Sequence, residues 1–384
     1  MRGFPLRPWG RATRWAGFAA LLAWVLPAWS CGGPFFAPPS FDPIVGTPPA
    51  EVDAVVFLVG DAGEATVDSS PLVRRLREDV EEWSATLPAS AAVSVLFLGD
   101  LVYPEGLHPR GHADFPRDSA RLHAQIWTVQ GPRAAARGAR GIFLAGNHDW
   151  GNERGAAGVA RVEGLASHLD EVAERTSAPV RLAPDAGEPG PAVMDLGGTV
   201  RIIALDGDWW LQQPGEEERA NVVEALEEAL SAAGGRNVLV AAHHPFASGG
   251  PHGGGRENGL DPFWILRKAG AAVQDLNSSP YRAYLQDLRE AFLGAGRPLL
   301  FAGGHDHSLQ VHQGGEDPSA PRWSLVSGAG SKLSPVSEVP GILYGAVRPG
   351  YMKVVFRTDG GAELFVTEEG AGETFSVTYS ARLR

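Results

Sequence analysis

A single cysteine, Cys31, stands among the 384 residues. One cysteine cannot form a disulfide within its own chain, so the fold must rest on its apolar core and on any bound metal. Positive charge is also scarce. Thirty-three Lys and Arg oppose 45 Asp and Glu, for a formal net charge of −12. That balance excludes nucleic acid or an anionic membrane held by bulk electrostatics. It leaves room for small anionic substrates, because a bound metal sets the local field. Long apolar runs are scarce as well. The one extended stretch, WAGFAALLAWVLPAW from Trp15, is interrupted by Pro27 and is too short for a comfortable membrane span. Internal repeats are absent.

What is present begins with a targeting signal. Residues 1–30 carry Arg2, Arg7, Arg11 and Arg14 and no acid, followed by that apolar stretch. This is the pattern of a signal peptide. Cys31 follows directly, and residues 31–50 are rich in Pro and Gly without periodicity, which reads as a tether. The junction resembles a bacterial lipoprotein signal. That implies lipidation of Cys31, attachment to a membrane through the lipid alone, and residence in the cell envelope. Ala28 and Trp29 depart from the Leu and small residue usual there. The alternative is a plain secretory signal, with a periplasmic or secreted product.

Residues 51–384 read as one domain. Short apolar runs lie at 55–61, 93–100, 141–149, 200–208, 237–244 and 298–307. They are continuous rather than alternating, as in strands buried on both faces. Helical patterns lie between them. Ser70–Pro71 reads as an N-cap with Pro at the first helical position. Leu72, Leu76, Val80, Trp83 and Leu87 then recur at steps of three and four, and residues 215–233 repeat the pattern with Val222, Val223, Leu226, Ala229 and Leu230 on one face. From about residue 350 to 380 the chain turns β-rich around an Asp-Gly-Gly turn, which predicts an antiparallel meander. The expected architecture is a layered α/β sandwich of mixed sheets with helices outside.

The apolar runs end in oxygen and nitrogen donors: Asp61, Asp100 and Tyr103, Asn147 and His148, His243, and His305 and His307. Each alone is weak, since Gly-Asp is often only a turn and a lone histidine is usually structural. Strand ends that together carry carboxylate, amide, imidazole and phenol suit iron, manganese or zinc. In order, Gly60-Asp61-x-Gly63, Gly99-Asp100-x-x-Tyr103, Gly146-Asn147-His148-Asp149, His243-His244-Pro245-Phe246-Ala247-Ser248 and Gly303-Gly304-His305-Asp306-His307 resemble the five motifs of the calcineurin-like metallophosphoesterases. The pattern is similar to the purple acid phosphatase branch, and Ser327–Lys332 resembles its last loop. In that branch the first motif is Asp-x-Gly, and a tyrosine takes over from the absent histidine.

The resemblance implies a four-layer αββα sandwich with two metal ions, Fe(III) plus a divalent Fe, Zn or Mn. Asp61, Tyr103 and His307 would hold the ferric ion, Asn147, His243 and His305 the divalent one, and Asp100 would bridge. A rival alignment makes His244 the ligand instead of His243. A rival reading of Tyr103 has it packing beside Pro104, with two divalent metals in the site. His148, and His252 nine residues after His243, would meet the phosphate and leaving group. For His252 the alternative is a surface histidine. Asp149, His244, Asp206 and Asp306 would support loops or ligands. His108, His112, His123, His168 and His312 lack a motif and are expected to be solvent-exposed. The implied activity is hydrolysis of phosphate monoesters by hydroxide that the metals activate. The alternatives are a phosphodiesterase or nucleotidase on the same site, its substrate selected by residues 249–280, and a surface-tethered binding module without catalysis.

Overall fold

The first apolar run folds as β1 (Val52–Val59), and its alternation assigns the layers. Val55, Phe57 and Val59 face a cluster containing Leu72, Leu76, Leu122, Leu165 and Leu169. Ala54, Val56 and Leu58 face the opposite way, against Ile202, Ala204, Leu239 and Leu300. A strand covered on both faces must be apolar at every position, which is why these runs do not alternate in sequence. Each fully buried Val, Leu or Phe contributes about 1.5–3 kcal/mol. These relations come from a computed structural model that describes residues 46–253 and 272–384. Residues 1–30, Cys31, most of the proline-rich stretch and the middle of segment 249–280 lie outside the described residues.

The first sheet holds β1, β2 (Ala92–Phe97), β3 (Arg140–Phe143) and β4 (Val180–Leu182) in parallel, in that spatial order. The meander extends it on the other side of β1. The second sheet has the order β11-β9-β10-β8-β7-β6-β5. Its strands are β5 (Ala192–Leu196), β6 (Val200–Ala204), β7 (Asn237–Ala241), β8 (Leu300–Gly303), β9 (Leu309–Gln313), β10 (Trp323–Ser327) and β11 (Ile342–Ala346). The meander is β12 (Gly350–Arg357), β13 (Ala362–Glu369) and β14 (Phe375–Arg382), antiparallel throughout as expected.

Helices α1 (Pro71–Thr86), α2 (Phe115–Trp127), α3 (Pro132–Arg137) and α4 (Ala156–Thr176) cover the first sheet. The Ser70 hydroxyl accepts the Val73 amide proton and caps α1. On the second sheet, Ile203, Val238, Val240 and Phe301 pack against α5 (Gly207–Leu211), α6 (Glu216–Ser231) and α7 (Ser279–Ala295). The structure is thus the expected sandwich of two seven-stranded mixed sheets flanked by helices. The expectation that five histidines without motifs are exposed fails for three. His108 and His312 are buried and His168 is half-buried. His312 lies on β9 between two neighbouring strands. His108 is folded over the fully buried Asp118, whose carboxylate accepts from its Nδ1–H at 2.7 Å.

Candidate metal centre

Neighbouring parallel strands bring their carboxyl ends to one edge. In the first sheet β1, β2 and β3 are adjacent, so the loops carrying Asp61, Asp100 and Asn147 are adjacent. In the second, β7 and β8 pair in parallel, which places His243 beside the loop of His305 and His307. The two edges join through the backbone: Gly60 N–H donates to Ser327 O at 2.7 Å. Asp61, Asp100 and His305 adopt φ of 58°, 53° and 68°, the left-handed region that non-glycine residues avoid. Each such residue costs about 1–3 kcal/mol unless its surroundings hold it, and such strain concentrates at functional sites.

Around His243 four acceptor atoms converge. The ring's Nδ1–H donates to the Leu98 carbonyl at 2.8 Å. A carbonyl only accepts, so the proton is on Nδ1 and Nε2 presents a lone pair. That Nε2 lies 3.2 Å from Asn147 Oδ1, 3.4 Å from Asp100 Oδ1 and 3.2 Å from His305 Nδ1. The Asn147 amide nitrogen donates to Asn152 Oδ1 at 2.9 Å, which leaves its oxygen turned inward. The His305 Nε2–H donates to the Gln274 carbonyl at 2.9 Å, which leaves Nδ1 unprotonated. Burial pushes the pKa of both histidines below the usual histidine value. Four lone pairs therefore face one another with no proton between them, an arrangement that repels unless a cation sits among them. Ligand atoms about 2.1 Å from one tetrahedral ion stand about 3.4 Å apart, so the spacing suits a metal.

A second group adjoins the first. The Tyr103 hydroxyl, 1% exposed as a residue, lies 3.0 Å from Asp61 Oδ1, 2.9 Å from Asp100 Oδ2 and 3.2 Å from His307 Nε2. One hydroxyl proton cannot serve both carboxylates at once. In the absence of a cation, burial and then Asp100 and Asp61 push the phenol pKa well above its usual value. Burial also works against ionisation of Asp100, but the His148 backbone N–H and the Tyr103 hydroxyl, which both donate to it, offset it and hold that carboxyl low. Asp100 contributes one oxygen to each group. The donor sets thus fit two cations sharing one carboxylate. Tyr103 is not simply packed beside Pro104, since its hydroxyl is inside the cluster.

Gly63 explains how. A Cβ built there would stand 2.6 Å from the Asp100 carbonyl oxygen and 2.8 Å from the Val102 nitrogen. The Asp100–Tyr103 turn occupies the space that a side chain at position 63 would need. Gly63→Ala is expected to destabilise the chelator-treated protein by about 1–3 kcal/mol through overpacking and to lower its metal content. Thermal unfolding and metal analysis check both, and an unchanged melting temperature would contradict the close approach.

The supporting residues act through identifiable bonds. Asp149 accepts the N–H groups of Leu101, Val102 and Gly146, tying the loop after β2 to the loop after β3. Asp306 accepts from the Ser248 hydroxyl and, at 3.1 Å, from His252 N–H. Asp206 accepts from Trp150 Nε1 at 2.9 Å and caps α5, and burial pushes its carboxyl up to about 7. His244 is fully buried, and its Nε2–H donates to Gln274 Oε1 at 2.7 Å. It faces away from the converged donors, whereas His243 is among them.

His148 donates from Nδ1 to the Pro104 carbonyl, which turns Nε2 toward Asp100 Oδ2 at 3.9 Å, with the side chain 25% exposed. The His252 ring lies 4.0 Å from that of His305 and donates to Asp275 Oδ1 at 2.8 Å. It is therefore at the site rather than an isolated surface residue. Sequence reasoning misses Gln274, Asp275 and Asn152, which belong to no motif. It also misses Lys332 as a neighbour of Tyr103, with Nζ 3.5 Å from the centre of the ring.

Another cluster, His108, His112 and Asp114, is less suited to a metal. The two imidazoles stack 4.0 Å apart at 11°, so their in-plane lone pairs run side by side rather than converge. Asp114 is paired with Arg117 at 2.9 Å.

No family model matches the sequence, and no curated protein resembles it significantly. Solved structures do share its fold. GAP50, the anchor in the inner membrane complex of Plasmodium, superposes with a TM-score of 0.56 at 15% identity, over 87% of this chain and 89% of that one. The purple acid phosphatase PPD1 from yellow lupin (Lupinus luteus) seeds superposes with a TM-score of 0.55 at 14% identity, over 87% of this chain and 54% of that one. The present chain thus matches about half of the lupin protein. At these identities the likeness is one of fold.

Proposed function

We propose that the chain is a dinuclear metallohydrolase of the purple acid phosphatase type that cleaves phosphate monoesters. The observation that carries this reading is the convergence of Asp100, Asn147, His243 and His305 through acceptor atoms alone. Asp61, Tyr103 and His307 would hold one ion, proposed as ferric iron because a phenolate favours the higher charge. Asn147, His243 and His305 would hold a divalent ion, with Asp100 between them. When bound, the two ions would supply Lewis acidity that lowers the pKa of a water and offsets charge on the phosphoryl oxygens. His148 Nε2, aimed by the Pro104 carbonyl, would meet a phosphoryl oxygen, and His148 or His252 would hold the proton passed to the leaving alkoxide. Export and anchoring through a lipid on Cys31 are proposed from residues 1–31 alone.

The likeness to GAP50, described as an anchor, favours a second reading in which the fold is a tethered binding module. Metal content separates the two. The purified chain is expected to hold two metal equivalents and to hydrolyse a chromogenic phosphate monoester faster than the matching diester. Activity should vanish on chelation and return with metal. Absence of bound metal would favour the module, and a preference for the diester would move the substrate class.

A further inference from the structure

We propose that Gln274 is the positioning residue of the divalent-metal half of this centre. The inference rests on the two-metal reading above and adds a residue that no motif contains. Its backbone carbonyl accepts from His305 Nε2–H at 2.9 Å. That bond fixes which imidazole nitrogen carries the proton, and so which lone pair faces His243 and Asp100. Its side chain makes the other two contacts. Oε1 accepts from His244 Nε2–H at 2.7 Å, and Nε2 donates to Asp208 Oδ1 at 3.3 Å.

The amide orientation follows from its partners. Ionised Asp208 can only accept, so the amide nitrogen turns to it and the oxygen turns to His244. Asp208 is itself held by Gln212 Nε2 at 2.9 Å and is nearly inaccessible, at 3% exposed. The His244 ring lies 5.1 Å from His243 and 4.6 Å from His305. Gln274 thus anchors on one side to a buried carboxylate and on the other to the ring that backs both histidines. Its main chain is held at the height where it meets His305. The next two residues continue the strap: Asp275 accepts from His252, and Leu276 N–H donates to the His252 carbonyl at 2.9 Å. Loss of the Gln274 side chain frees the strap. His305 can then turn or exchange tautomer, whereas the hydrogen bonds of Gln274 reach none of Asp61, Tyr103 or His307. A purely structural residue would weaken both halves alike.

The test titrates zinc into the chelator-stripped full chain and its Gln274→Ala and Gln274→Met variants. Calorimetry follows both equivalents. In parallel samples loaded with ferric iron, the visible band of the iron-bound tyrosinate reports the Tyr103 half. Both variants are expected to bind one equivalent about 10–100-fold more weakly, the usual effect of an outer-shell partner, with the tyrosinate band kept. Met preserves volume and so decides the matter if Ala fails to fold. Two equivalents bound as in the wild type, or equal weakening of both, overturn the role of Gln274. A wild-type chain that binds no zinc overturns the two-metal reading instead.

Discussion

Iron-loaded protein carrying Tyr103→Phe is expected to be colourless where the wild type is pink to purple. A tyrosinate bound to ferric iron absorbs visible light by charge transfer, and the variant has no oxygen with which to do so. The substitution removes a single atom. The ring keeps its edge contact with His148, 4.5 Å between centres, and its place beneath Lys332. Packing should therefore change little, and the effect should fall on the metal. The hydroxyl is one of four donors in its group, with Asp61, Asp100 and His307 within 3.2 Å. Its loss should weaken that ion by more than the about 10–100-fold typical of outer-shell changes. A phenol surrounded by two carboxylates keeps its proton unless a strong Lewis acid displaces it, so colour tests the assignment directly. A colourless wild type with full iron occupancy defeats the ferric tyrosinate. A Phe variant with an unchanged visible band defeats the role of Tyr103.

The second large effect is expected at His148. His148→Ala should keep both metals and lower kcat by about 10²–10⁴-fold, the range for a positioned acid–base group. The geometry separates the two outcomes. The His148 backbone N–H donates to Asp100 Oδ1 at 3.1 Å, a bond that alanine retains, so the bridging carboxylate should stay in place. The imidazole, held by Pro104 on one nitrogen, offers the other to the mouth of the site. Metal analysis alongside steady-state kinetics decides. Loss of a metal equivalent would make His148 a direct ligand and overturn its assignment to the phosphate.

Much of the centre is legible in the sequence alone. Uninterrupted apolar runs reveal strands buried on both faces, because a central strand has no wet side on which to place polar residues. Donors immediately after those runs fall at the carboxyl edge by chain direction alone. The pairing of Gly63 with Tyr103 is what the motif resemblance implies, and the clash that a Cβ would make gives it a steric reason. Short strands such as β4, three residues long, and the helices α2, α4 and α7 escape the sequence pattern. Three residues are too few to show a period. His108 and His312 are misjudged from sequence because burial beside Asp118 or within β9 leaves no trace in the neighbouring residues.

The sequence by itself determined which donor atoms exist and that they end strands. Tertiary structure decided which nitrogen of each histidine is offered. Leu98 O holds His243 and Gln274 O holds His305, across 145 and 31 residues. Every residue carries a backbone carbonyl, so no side-chain pattern can mark the two that matter. They are selected only when the stacked sheets and the strap at Gln274 bring them against those rings.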